Sequence, residues 1–192
     1  MQEQKNNSKK SKSTVKQDKN IADVKNKEQK QRKMSANMKF TILAVALIAI
    51  FCVVLTPVTL QNDTFYTIKI GEHIVKNGID MQDPFSWHED LAYTYPHWLY
   101  DLLTYLIYNS FGMTGIYIVT CILSVTLGLS IYFVNRKLVK NQLISFLITI
   151  GSMYLIRGYI AARAQLVTFI LFILTIYCIE KFLETKKKRY AI

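Results

Sequence analysis

The run FTILAVALIAIFCVVLTPVTL, from Phe40 to Leu60, holds 21 residues and no charge. At about 1.5 Å of rise per residue, a helix of that length crosses the hydrocarbon core of a bilayer. Its apolar core is longer than that of a secretory signal, and Thr56-Pro57-Val58 stands where a small-residue cleavage site would be. The run therefore reads as an uncleaved signal-anchor. Three further apolar runs follow, at Met113–Val134, Leu143–Ile156 and Tyr159–Ile179. The expected fold is all-α: a polytopic membrane protein with four transmembrane helices, over residues 39–61, 113–134, 143–157 and 158–180. The third run has 14 residues and is short for a perpendicular crossing.

The charges are segregated from these runs. The 192 residues are 51% apolar and only 19% charged, yet the net charge is +11. That combination argues against a soluble enzyme, a disulfide-rich secreted module, a collagen-like chain or a wholly disordered one. Cys52, Cys121 and Cys178 all lie inside apolar runs without a CxxC pair, which predicts reduced, buried thiols. The chain up to Lys39 carries 12 of the 24 basic residues and four of the 13 acidic ones, and residues 1–38 contain no aromatic side chain. Such a segment cannot bury enough apolar surface to order itself, so 1–38 is expected to be a disordered basic tail. Its one arginine and lack of aromatics speak against nucleic acid as a partner; attraction to anionic lipid headgroups is expected.

Charge also sets the orientation. With both termini cytoplasmic, twenty basic residues lie inside, in the tail, the 135–142 loop and the 181–192 end. Four, Lys69, Lys76, Arg157 and Arg163, lie outside. This asymmetry follows the positive-inside rule and puts residues 62–112 on the outer face of the cytoplasmic membrane. Within that loop, WLYDLLTYLIYNSF (Trp98–Phe111) is too short to span and carries Asp101 in its first turn. On a helical wheel Leu99, Leu102, Leu103 and Leu106 form one face, and Asp101, Thr104, Tyr105 and Tyr108 the other. That is the pattern of an amphipathic helix lying in the interface. Residues 64–77 show a weaker version, with Lys69, Glu72, His73 and Lys76 on one side, ended by Asn77-Gly78 with the glycine left-handed.

The outer loop holds seven of the 13 acidic residues and all three histidines. Asp63, three residues past the first run, is either an N-cap of the following helix or a carboxylate that takes a proton from a hydroxyl or helps hold a divalent cation. Glu72, His73, Asp80, Asp83 and His88-Glu89-Asp90 could supply further oxygen and imidazole ligands, though without the spacing of HExxH or an EF-hand. Asp83-Pro84-Phe85-Ser86-Trp87 reads as a turn with aromatic anchors. Asp101 must face water, a cavity or a partner. On the far side, Arg157 and Arg163 oppose the charge trend; they either snorkel to ordinary headgroups or grip a lipid phosphate, with Gln165 adding hydrogen bonds. No acidic residue interrupts the apolar runs, which weakens a transporter or channel reading.

Taken in order, these pieces resemble the N-terminal part of a GT-C-type integral-membrane glycosyltransferase, within a poorly characterised bacterial family of that type. The matching stretches are Asp63-Thr64-Phe65-Tyr66 leading to Gly71-Glu72, Asn77-Gly78-Ile79 with Asp83-Pro84-Phe85-Ser86-Trp87, His97-Trp98-Leu99-Tyr100-Asp101 with Phe111-Gly112, and Ala162-Arg163-Ala164-Gln165. They cover roughly residues 40–185. The resemblance implies sugar transfer from a polyprenyl-phosphate donor, with Asp63 as catalytic base or metal-binding acid and Arg163, with Arg157 and Gln165, at the donor phosphate. Glu72, His73, Asp83, His97 and Asp101 complete the candidate residues. Members of that type have more spans than four, so the chain is expected to be an N-terminal portion or a shortened relative. The alternative is a non-catalytic membrane subunit or scaffold of a cell-envelope complex.

Overall fold

The computed structural model describes residues 36–88, 91–187 and 190. Of the expected tail 1–38, residues 1–35 lie outside the described residues, as do Glu89, Asp90, Lys188 and Arg189, while Ala36, Asn37 and Met38 already open the first helix. The chain divides into two compact units, residues 1–42 and 43–192. Every regular element among the described residues is helical: α1 (Ala36–Leu55), α2 (Asn62–Asn77), α3 (Trp98–Val139), α4 (Gln142–Leu155) and α5 (Gln165–Thr185), with a 3₁₀ turn at Arg157–Tyr159. Among these, α1, α3 and α5 are long and apolar enough to cross a membrane. The 14 residues of α4 span only about 21 Å, short of the roughly 30 Å hydrocarbon core.

A straight helix of 42 residues would be about twice as long as a bilayer core is thick. The chain breaks α3 at Gly112, where φ is +63° and ψ −155°, a conformation open to glycine and to almost nothing else. The break divides α3 into an outer arm, residues 98–111, and a long apolar arm from Met113. Other boundaries also depart from the periodic reading. The apolar run from Tyr159 is not helical until Gln165, because Ile160, Ala161 and Ala162 are buried in a non-helical strap that follows the 3₁₀ turn. α5 then continues to Thr185, past the expected end at 180, and stops at left-handed Lys186. The expected loop 135–142 shrinks to a tight turn. Arg136 and Lys137 extend the last turn of α3, where cations favour the helix dipole, and the Asn141 side chain caps α4 by accepting from the amides of Leu143 and Ile144.

Two close approaches hold the second unit together. At Gly128 of α3, an added Cβ would lie 2.6 Å from Cys52 Sγ and 3.1 Å from Ile48 Cγ2 of α1. Ser124 Oγ also donates to the Cys52 carbonyl at 3.4 Å. At Gly71 of α2, an added Cβ would fall inside contact distance of the Asp101 carbonyl oxygen and 2.6 Å from Tyr105 Cβ. The helices α2 and the outer arm of α3 thus run past each other with almost no side chain between them. Ile68, Ile116 and Ala162 form the core beneath, covered by Leu60, Tyr105, Ile107 and Tyr108. Gly71 meets Asp101 while Ile68 lies in the cluster with Tyr105 and Tyr108, so the two helices are antiparallel.

Candidate functional site

Asp63 and Arg163 lie 100 positions apart in sequence, yet Asp63 Oδ2 is 2.6 Å from a terminal nitrogen of the Arg163 guanidinium. Two elements bring them together. α2 starts immediately after α1, with Gln61 as its N-cap residue, so Asp63 sits inside the first turn rather than at the N-cap position. A carboxylate there favours the positive end of the helix dipole. The buried strap 160–162 then delivers Arg163 to the same place: Thr64 Oγ1 donates to the Ala162 carbonyl at 3.3 Å, and the Arg163 amide donates to the Ala161 carbonyl at 2.8 Å. Beside the ion pair, Arg163 Nε and Gln61 Oε1 are buried and have no hydrogen-bond partner among the described residues. Next to Ala162 an apolar groove of about 170 Å³ opens between the two arms of α3 and the start of α5, lined among others by Tyr100, Ile107, Ile116 and Val167.

The other donor-phosphate candidates do not join this pair. Arg157 lies in the 3₁₀ turn, where its Nη1 donates to the Tyr154 carbonyl at 3.2 Å and its guanidinium stacks 4.2 Å above the Tyr154 ring. Gln165 is exposed at the first position of α5.

The loop candidates separate into three local arrangements. Glu72 bridges Lys69 at 2.8 Å and Lys76 at 2.6 Å, and the hydrogen bonds from these lysines hold its carboxyl down at about 2. That is a helix-surface ion-pair ladder. His73 is clasped from both sides. Its Nε2 is 2.9 Å from Asp80 Oδ2, its Nδ1 is 2.9 Å from Asn77 Nδ2, and its ring stacks on Tyr95. Asp80 Oδ1 accepts from the buried Tyr95 hydroxyl at 2.8 Å and from the Gln82 amide, and these bonds, with His73, hold the Asp80 carboxyl down at about 2. Burial, then the Asp80 bond, pushes the Tyr95 hydroxyl up to about 12.

Asp83 builds the predicted turn: its Oδ1 accepts from the Phe85 amide at 2.9 Å, and Phe85 packs on Tyr66 with ring centroids 5.3 Å apart. A single antiparallel bridge, Gln82 to Ala92, closes this hairpin. The glycine that ends α2, Gly78, has φ +80° as expected, but its ψ of −166° lies outside the left-handed helical region.

Asp101 is the third arrangement. It is 2% exposed, and its Oδ2 is 3.3 Å from Nδ1 of His97, whose side chain is 49% exposed. Its Oδ1 is buried without a partner among the described residues. The sequence wheel expects an amphipathic helix lying in the interface. Asp101 and Thr104 point into the protein, whereas Leu99, Leu103 and Leu106 are exposed. No group of three or more His, Cys, Asp or Glu among the described residues is placed to hold a metal ion.

Sequence reasoning overlooked the Asp80–Tyr95 contact, because Tyr95 lies in irregular chain where no period marks it. Gln61 was also passed over, since nothing local distinguishes an uncharged residue ahead of a helix. Searches of protein-family models, curated proteins and solved structures returned no match for this chain.

Proposed function

We propose that the chain is a GT-C-like membrane glycosyltransferase, as an N-terminal portion or a shortened relative. It would transfer a sugar from a polyprenyl-phosphate donor on the outer face of the cytoplasmic membrane. The observation that carries this reading is the Asp63–Arg163 pair, with Arg163 one residue along the chain from Ala162, which lines an apolar groove. A lipid-linked sugar phosphate needs a cation for the phosphate and an apolar path for the chain, and the pair and the groove supply both. Four crossings are part of the reading. The 3₁₀ turn prolongs α4 to Tyr159, adding about 6 Å and bringing the segment close to bilayer thickness. Charge asymmetry puts both ends of the chain inside.

In the reaction, an acceptor hydroxyl attacks the anomeric carbon while the bond from that carbon to the phosphate oxygen breaks. The electron pair departs with the phosphate, and Arg163 stabilises the charge that develops there. Asp63 holds the guanidinium in place and is the carboxylate available to take the proton of the attacking hydroxyl or to share a divalent cation with the phosphate. The test is transfer of radiolabel from polyprenyl-phosphate sugars in membranes that contain the 192-residue chain. Asp63→Asn and Arg163→Gln are each expected to lower transfer by a factor of about a hundred or more. Full transfer by either variant, or no transfer by the wild type across a donor panel, overturns the reading.

A second reading, a non-catalytic subunit or scaffold of a cell-envelope complex, is favoured by one feature. Asp63 and Arg163 neutralise each other, as a purely structural pair would. Under it, both variants would lower the yield of folded protein and no donor would be turned over.

A further inference from the structure

At the end of the bundle far from Arg163, α3 and α5 meet where their apolar runs stop. Lys137 follows the run Met113–Val134 by three positions, and Tyr177 stands two positions before the end of the run Tyr159–Ile179. Lys137 Nζ donates to the Tyr177 hydroxyl at 2.8 Å and lies 4.3 Å from the centre of its ring. Lysine and tyrosine at the ends of apolar helices sit at the depth of lipid headgroups. From this clasp the seam between the two helices opens into a groove of about 310 Å³, lined among others by Thr126, Leu129, Phe133 and Leu174 and ending at Lys137 and Tyr177. Phe133 and Leu174 are exposed, so the groove is open along its length.

We propose that this groove binds one anionic phospholipid, with the phosphate on Lys137 and Tyr177 and an acyl chain laid along α3 and α5. The site stands apart from the Asp63–Arg163 pair and does not depend on the chemistry there. It rests on the long apolar helices crossing a bilayer. The first support is the donor set. An ammonium has three N–H donors, and the Tyr177 oxygen takes one of them. Two therefore remain, and the Tyr177 hydroxyl, which accepts here, keeps its own hydrogen to donate. Lys181, one turn beyond Tyr177, is taken by Glu184, whereas Lys137 pairs with no carboxylate among the described residues. A phosphodiester oxygen is the acceptor that such a pair of donors fits.

The second support is length. Thr126 and Lys137 are eleven residues apart, about 16 Å of helix axis, and half of a roughly 30 Å hydrocarbon core is one leaflet. The Thr126 hydroxyl is spent on the Ile122 carbonyl of its own helix, so the deep end of the groove offers no free donor from that side chain. Charge then selects the occupant. Residues 136–140 and 180–187 carry six lysines and arginines against Glu180 and Glu184. A second copy of the chain would bring the same surplus against it, while an anionic headgroup is opposite in sign. A groove of equal volume on another side of α3, lined by Leu127, Ile131, Ile148 and Phe172 among others, has no charged residue at all and so nothing to hold a headgroup. The positive-inside rule assigns the Lys137 end to the cytoplasmic leaflet.

The test is native mass spectrometry of the full chain released from detergent, titrated with phosphatidylglycerol and with phosphatidylcholine of the same acyl chains. The wild type is expected to bind the first phosphatidylglycerol more tightly by a factor of about five or more. Lys137→Gln is expected to abolish that preference, Tyr177→Phe to reduce it and Lys137→Arg to keep it. Lys187→Gln removes the same charge outside the groove and is expected to leave the preference in place. Leu174→Trp fills the groove and is expected to weaken both lipids alike. A wild type without preference overturns the proposal. Equal losses in Lys137→Gln and Lys187→Gln also overturn it, because the basic end then acts as diffuse charge. Unchanged binding by Leu174→Trp overturns the acyl path, and a lipid-free dimer that Leu174→Trp disperses gives the groove to a second copy instead.

Discussion

α2 and the outer arm of α3 pack against each other through Gly71, yet they differ in the charge they expose. α2 buries Ile68 and Ile70 with Thr64 and Thr67, and exposes the paired Lys69 and Lys76 beside Phe65, Tyr66 and Val75. The outer arm buries Asp101 and Thr104 and exposes Leu99, Leu103 and Leu106. A helix with leucines outside and polar groups inside is stable only where its outer surroundings are apolar. The long arm beyond Gly112 behaves in the same way, with Thr120 and Ser124 buried and Ile118 and Ile122 exposed. Two helices one glycine apart thus present different outer surfaces, one laced with ion pairs and the other with leucines.

Breaking the contact between the two helices is expected to have the largest effect. Gly71→Leu forces a side chain into the Asp101 carbonyl, backbone that cannot rotate away. The cost is expected at or above the top of the usual range of about 1–3 kcal/mol for overpacking. Thermal unfolding in detergent, with proteolysis of the loop after Gly78 as a local probe, measures it, and an unchanged melting temperature would contradict the close approach. Exchanging the surfaces tests the comparison itself. Leu103→Asp is expected to cost up to about 2.5 kcal/mol in bilayers if that face meets lipid, less at the interface than at the centre. On a water-facing surface the same change stays within about 0.5 kcal/mol. A neutral result in nanodiscs would put the outer arm in water.

The smallest effect comes from acid and falls on the hairpin alone. The Asp80 carboxyl is held down at about 2 by Tyr95, the Gln82 amide and His73. A carboxyl whose folded value is depressed adds stability that is fully present above its ordinary value near 4 and fades as the pH falls from there towards 2. The hairpin from Ile79 to Pro96 is therefore expected to gain amide exchange between about pH 4 and pH 2, beyond the intrinsic pH dependence. Tyr95→Phe should remove most of that change, and a pH response that Tyr95→Phe leaves untouched would assign it elsewhere.

Much of this architecture is legible in the sequence because its signals are local. An uncharged run of 21 residues announces α1, and the placement of Asp101, Thr104, Tyr105 and Tyr108 along two turns defines one face of the outer arm. Asn77-Gly78 marks the end of α2 within a residue. The direction in which that face points is not local, since it depends on Gly71 in another helix. The strap 160–162 is hidden for a related reason. Its residues are as apolar as a spanning helix, and the contacts Ala162 makes with Thr64 and Ile68 come from a distant helix. The candidate site is the least legible feature. Each of Asp63 and Arg163 stands out by charge and place, but only the fold makes them partners.

The span of sequence between those partners also sets an order of events during synthesis. α2 and the outer arm can dock as soon as residue 111 has left the ribosome, because Gly71, Asp101 and Tyr105 are all present by then. The ion pair must wait for Arg163, about fifty residues later, and at ordinary elongation rates that interval is roughly 3–10 s. For that time Asp63 stands on a docked helix without its cation, beside a groove whose third wall, the start of α5, has not been made. The surface layer can thus begin to pack before the site exists, and its core closes only when Ala162 arrives one residue ahead of Arg163.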